Sequence, residues 1–195
     1  YMLAAQAVYA SALFLGREAA TADIERAYGA VYNSKRNIVL IGMPSCGKSS
    51  VGRLLAEKTG KEFFDSDGII VERTGIPIAE FFARQGETAF RTIEHEVLAE
   101  LAAKSGAVIA TGGGAVLDAD NVRALKRGGT AVFLDRSPEK LVSTADRPLS
   151  PDRESLMRRY AERYEKYLSA ADVTVNGDGT VGETAEKVYE TVMAR

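Results

Sequence analysis

A chain of 195 residues that is 46% hydrophobic can close one sizeable core and is short for two comfortable domains. Its 25 lysines and arginines against 27 acids leave a formal charge of −2, without the basic excess expected of a nucleic-acid binder. The one cysteine, Cys46, rules out an intrachain disulfide framework and fits a reducing, cytoplasmic setting, and no apolar run approaches the roughly 18 residues of a membrane span.

The opening run YMLAAQAVYASALFLG has no basic segment and no initial Met, so it reads as cut from a longer chain rather than as a secretory signal. Leu3, Ala7, Ala10 and Phe14 recur at helical spacing and predict a helix over 1–15 whose apolar stripe something must cover. Residues 21–33 predict a second helix, with Thr21 or Asp23 as N-cap and Ile24, Ala27, Tyr28, Val31 and Tyr32 on one side. A polar linker at 33–36 sets the boundary between a helical extension, 1–34, and a main domain, 35–195.

The main domain begins with NIVLIGMPSCGKSS at 37–50: a β-branched run, a glycine-rich turn and then a helical pattern. Gly42, Gly47, Lys48 and Ser49 fill G-x-x-x-x-G-K-S/T in the context that motif requires. The glycines let backbone N–H groups turn inward, the helix adds its positive end, Lys48 supplies a charge for the terminal phosphates, and the Ser49 hydroxyl is placed for Mg²⁺. ATP or a related nucleotide is the expected ligand of this loop.

Residues 61–65 predict a short buried strand, and 68–73, 77–84 and 86–104 predict helices. A strand at 107–110 ends in the triple glycine 112–114. Helix 119–127, strand 130–134 and a short helix from Pro138 lead into a polar, proline-bearing segment, 144–153. Helix 153–169, strand 173–175 and a helix from Thr180 complete the pattern. Strands alternating with helices predict an α/β domain with about five parallel strands and a ligand site at their C-terminal ends.

Several chemically loaded groups fall at those ends. Asp65 and Asp67 suit a metal's water shell and an acceptor hydroxyl, the alternative being the cap of the next helix. Gly112, Gly113 and Gly114 either admit a ligand to bare backbone or form an ordinary loop. Arg91, with Glu94 at i+3, is either a surface ion pair or a carboxylate clamp. Arg147 is a solvated loop charge or a lid residue reaching over phosphates, and Arg163 cannot be told by position from Arg158, Arg159 and Lys166 on the same helix. Asp135, closing the run AVFLD, resembles a metal-binding strand end of switch ATPases, or is a simple turn acid.

The phosphate loop GMPSCGKSS, the acids in FFDSD, the FRTIE segment, TGGGAV, RPL at 147–149 and RYEKYLSAADVTV together resemble the shikimate kinase family over nearly all of 37–195. The resemblance implies a three-layer α/β/α P-loop kinase fold with strand order 2-3-1-4-5, a lid, and phosphorylation of the shikimate 3-hydroxyl by ATP with Mg²⁺. It implies that Gly42, Ser45, Cys46, Gly47, Lys48, Ser49 and Ser50 hold ATP, with Arg147 on its phosphates, and that Ser49 and Asp65 serve the metal. Asp67, Arg91, Gly112, Gly113, Gly114 and Arg163 would hold shikimate, and Asp67, Lys48 and Arg147 would carry the chemistry. A monomeric kinase domain is expected.

Two departures stand out. The family's adenine-side arginine before the lid has no counterpart in Leu141-Val142-Ser143-Thr144. Cys46 replaces a more usual glycine or serine, and is read either as an oxidation-sensitive thiol of lowered pKa or as a small buried neutral one. The first 16 residues are similar to the closing helix of shikimate dehydrogenase, with Gln6 matching its substrate-binding glutamine, which implies a remnant of a fused two-enzyme chain. Rival readings are a kinase of another hydroxy acid, such as gluconate, and a slow ATPase switch module.

Overall fold

A computed structural model describes residues 1–141 and 153–194 of the chain, which divides into two units, Tyr1–Arg36 and Asn37–Arg195. The segment 144–152, with Arg147, and the approach at 142–144 lie outside the described residues.

The first unit is two helices in contact, α1 (Met2–Phe14) and α2 (Thr21–Lys35). Tyr1 and Tyr28 bring their rings within 5.6 Å. The expected stripe of α1 does not face inward: Leu3 is 78% and Phe14 92% exposed, whereas Ala12 is buried. Alanine allows close packing on any helix face, so apolar spacing alone does not choose the buried one. Thr21 and Asp23 are not the N-cap of α2; Ala20 is, with no side-chain cap. The polar linker also shrinks, because α2 continues through Lys35. Ser34 Oγ donates to the Val31 carbonyl (2.8 Å), which lets a polar residue stay helical, and Lys35 suits the negative helix end.

The second unit is built on five parallel strands, β1 (Asn37–Ile41), β2 (Glu62–Asp65), β3 (Ala107–Ala110), β4 (Gly129–Asp135) and β5 (Val173–Asn176), in the order β2-β3-β1-β4-β5. β1 and β3 are buried along their whole length, as near-continuous Ile, Val, Leu and Ala runs in a covered parallel sheet should be. β2 is only half-buried, not the buried strand expected, because it lies at the sheet edge. Helices α3 (Lys48–Thr59), α4 (Ser66–Thr74), α5 (Ile78–Ala102), α6 (Ala119–Gly128), α7 (Arg153–Ala170) and α8 (Val181–Met193) make the crossovers and cover the sheet. The two helices expected at 77–84 and 86–104 join into α5 across a break at Gly86, whose φ of 81° leaves the helical region. A capping box of Thr180 and Glu183 starts α8.

This topology decides where the chemistry goes. β1 delivers the phosphate loop at the sheet centre, β3 and β2 bring the triple glycine and the acid pair to one side of it, and β4 and β5 end on the other.

Candidate active site

Between β1 and α3 the chain takes three left-handed positions, Gly42 (φ 146°), Ser45 (φ 65°) and Gly47 (φ 97°). Such a succession folds the backbone into a concave, anion-binding turn, and Gly47 is also the N-cap of α3, adding the helix's positive end. Gly42 has a second reason to lack a side chain: a Cβ there would lie 2.9 Å from the Leu134 carbonyl and 3.0 Å from Cys46 Sγ. Lys48 is buried and donates from Nζ to the carbonyls of Gly42 (2.9 Å) and Met43 (2.8 Å), arching over the loop. Cys46 is buried, with Sγ 3.7 Å from Lys48 Nζ. Ser50 sits on the exposed side of the first turn of α3, facing the same cleft.

Asp65 does two jobs at once. Its Oδ1 accepts from the backbone N–H groups of Asp67 (3.1 Å) and Gly68 (3.4 Å), capping α4, while its Oδ2 accepts from Ser49 Oγ at 2.5 Å. The cap read from the sequence is thus present, and the same carboxylate meets the hydroxyl that follows the loop lysine. Ser49 Oγ and Asp65 form an oxygen pair at the mouth of the phosphate loop, a donor set that suits Mg²⁺, which takes few protein ligands besides phosphates and water. Among the described residues no group of three or more His, Cys, Asp or Glu side chains could hold a metal alone.

The triple glycine is closely packed, so that a side chain on any of the three would have to displace a neighbour. A Cβ on Gly112 would lie 2.5 Å from Asp67 Oδ1, on Gly113 2.7 Å from Pro44, and on Gly114 2.1 Å from Arg91 Nη1. Glycine here is thus a condition for bringing the acid, the phosphate loop and the arginine to one point. Ser66, fully buried, accepts from the Gly112 N–H (2.9 Å), and the Gly113 carbonyl accepts from Arg163 Nη1 (3.0 Å) and the Tyr167 hydroxyl (2.6 Å). Ser66 and Tyr167 lie within the FFDSD and RYEKYLSAADVTV segments but are not singled out there as site residues. Burial pushes the Tyr167 hydroxyl well above its ordinary pKa, so it stays a donor.

Arg91 is no surface pair. Nη1 donates to Glu94, which is 1% exposed, and Nη2 donates to Glu87 at 2.9 Å. Burial pushes the Glu94 carboxyl above the usual range, with Arg91 pulling the other way and Asp67 adding to the rise. Burial works against charge on Arg91 as well, but Glu94 and Glu87 outweigh it and hold the guanidinium above its ordinary value. A carboxyl whose folded pKa is raised costs stability as pH climbs from the unfolded value through the folded one. Glu94→Gln removes that dependence. Its melting temperature is expected to gain on wild type from acidic to neutral pH, and a gap that does not change with pH would contradict the assignment.

These groups line one cleft of about 860 Å³ that runs from Ser45, Lys48 and Ser49 past Asp65 and Asp67 to Arg91, Gly112, Gly113, Gly114 and Arg163. Arg53, Phe82, Phe90 and Arg159 also line it, and the sequence singled out none of these as site residues. Burial and the neighbouring Arg163 hold the Arg159 guanidinium below its ordinary pKa. Asp135, by contrast, accepts from the hydroxyls of Tyr160 (3.3 Å) and Tyr164 (3.1 Å), which aims it at α7. Burial, with Asp135 next, pushes Tyr160 up to about 12.

A concave phosphate loop with an oxygen pair at its mouth thus shares one cleft with Asp67 and with Arg91, Arg159 and Arg163. The family model described as Shikimate kinase matches residues 44–193. Curated shikimate kinases of Clostridium botulinum (40% identical over 163 residues, 82% of this chain and 98% of that one) and Moorella thermoacetica (42% over 164 residues, 81% and 95%) are similar to this chain. Among solved structures, a shikimate kinase from Acinetobacter baumannii in complex with shikimate superposes with a TM-score of 0.79 at 34% identity, covering 85% of this chain and 97% of that one. One from Aquifex aeolicus gives 0.71 at 33%, covering 80% and 95%. With this sheet order, this cleft and these relatives, the chain belongs to the shikimate kinase family.

Proposed function

We propose that the second unit transfers the γ-phosphoryl group of ATP to the 3-hydroxyl of shikimate, giving shikimate 3-phosphate and ADP for aromatic amino-acid biosynthesis. The observation that carries this reading is the Arg91–Glu94 pair, locked by burial and placed with Arg163 across the cleft from Lys48. Two guanidinium groups of fixed orientation suit a planar carboxylate, and the acids at the other end suit a ring's hydroxyls. Shikimate carries both.

The loop backbone from Gly42 through Gly47, with Ser45, Cys46, Lys48, Ser49 and Ser50, cradles the triphosphate. Lys48 exchanges its hold on the Gly42 and Met43 carbonyls for phosphate oxygens. Ser49 and Asp65 would hold Mg²⁺, which when bound neutralises charge on the phosphates and fixes their orientation. Asp67 orients the 3-hydroxyl in line with the γ-phosphorus and takes its proton, while Gly112, Gly113 and Gly114 give the ring bare backbone to lie against. Arg147 belongs to this proposal as the lid charge. Incubation of the protein with MgATP and shikimate, followed by phosphorus and proton NMR of the product, tests the regiochemistry. Phosphate on C3 is expected, and phosphate on another hydroxyl would contradict the placement of Asp67.

Among the described residues no helix is long and apolar enough to cross a membrane. We take the enzyme to act in the cytoplasm, where the single free cysteine of the chain fits a reducing setting. The kinase domain works as a monomer without nucleic acid, and residues 1–34 are a helical extension left from a preceding shikimate dehydrogenase domain.

A further inference from the structure

We infer that Arg136 is a nucleotide-binding residue that contacts the adenosine half of the cosubstrate; this rests on the phosphate loop's holding a nucleotide. The sheet order sets the direction in which that nucleotide must lie. Asp65, Asp67 and Gly112, which line the acceptor cleft, come from the β2 and β3 side of the loop. A terminal phosphoryl facing them leaves the adenosine on the opposite side, over the ends of β4 and β5. With strands about 4.8 Å apart, two strand ends provide roughly the span of a ribose and a base.

Arg136 stands at that place. It follows β4 directly, and its Nη1 lies 3.9 Å from where a Cβ on Gly47 would be, against the phosphate loop itself. On its other side, a Cβ on Gly177 would lie 3.7 Å from the Arg136 Cβ. The wall beyond is rigid, because Asp178 accepts from both the backbone N–H (2.8 Å) and the hydroxyl of Ser137, and Lys140 donates to the Asp178 carbonyl (3.1 Å). Burial of a polar donor without a partner is unfavourable and rare in folded proteins. The Arg136 Nε is such a donor, the only buried side-chain nitrogen or oxygen without a hydrogen bond among the described residues. The Arg136 side chain thus runs from beside Gly177, at its Cβ, to the phosphate loop, at Nη1. A guanidinium there suits an adenosine: its plane can lie against a base and an edge N–H can donate to a ribose oxygen.

The test measures binding of MgADP and of inorganic tripolyphosphate to wild type, Arg136→Ala and Arg136→Lys by isothermal titration calorimetry, with no acceptor present. Arg136→Ala is expected to weaken MgADP binding about tenfold and to leave tripolyphosphate binding unchanged, since a charge-assisted contact to the adenosine half would be lost while the phosphate cradle stayed whole. Unchanged MgADP affinity in a folded variant would overturn the inference, as would an equal loss for both ligands, which would make Arg136 a support of the loop. Should the alanine variant not fold, Arg136→Lys decides: it keeps the stem and loses the planar fork, so reduced MgADP affinity upholds the contact and full affinity overturns it. Because no acceptor enters the measurement, failure of the shikimate reading would leave this result standing.

Discussion

Lys48→Ala is expected to lower kcat by about 10³-fold and to lower the melting temperature by several degrees, two effects with separate causes. The catalytic loss follows from removing a fixed positive charge where the transferring phosphoryl develops negative charge, a contribution of about 10² to 10³ for one such donor. The stability loss follows from the described state of the loop, in which the buried ammonium satisfies the carbonyls of Gly42 and Met43. Hydrogen bonds from a charged group contribute about 1.5–3 kcal/mol each, and alanine leaves two carbonyls unpaired in a buried turn. Steady-state kinetics and thermal melts check both. A variant that melts like wild type would show that the loop does not depend on the lysine for its shape.

Asp67→Asn separates chemistry from folding. Asp67 lies in the first turn of α4, its backbone N–H held by Asp65 Oδ1 at 3.1 Å and its side chain pressed towards Gly112, so asparagine fits the same space. It keeps the shape and loses the base. A general base contributes about 10² to 10⁴, and in phosphoryl transfer, where bond formation to the nucleophile is late and loose, the lower end applies, so kcat should fall about 10²-fold. The melting temperature and MgADP affinity should stay near wild type. Unchanged kcat would remove the proton-accepting role from Asp67, and the contrast with Lys48→Ala in melting temperature guards against a shared folding defect.

The parts of the site that could be read from the sequence are those with a local reason to exist. The phosphate loop is contiguous, and each of its residues is constrained by a turn, a helix start or a phosphate, so Gly42, Gly47, Lys48 and Ser49 stood out together. Asp65 and the triple glycine stood out because strand ends in a parallel sheet converge. What stayed hidden depends on residues far apart in the chain. Ser66 meets Gly112 across 46 residues, and Arg163 and Tyr167 meet Gly113 across 50 and 54. Nothing near residue 163 distinguishes the arginines that line the cleft, Arg159 and Arg163, from Arg158 on the same helix. Glu94 looked like half of a surface pair because the backbone of Gly112 beside it, and the charges of Asp67 and Arg163 that act on it, come from other elements. β2 was misread as buried because its place at the edge belongs to the sheet, not to the strand. The alanine-rich α1 shows the same limit, since small residues leave its inward face undetermined.

ADP release by the purified chain with MgATP, followed by a coupled spectrophotometric assay with and without shikimate and with gluconate as a comparison acceptor, tests the central claim most directly. Release that depends on shikimate, with one ADP formed per shikimate consumed, is the expected result. A folded, nucleotide-binding protein whose ATP turnover is the same with and without shikimate, or which responds to gluconate instead, would contradict it.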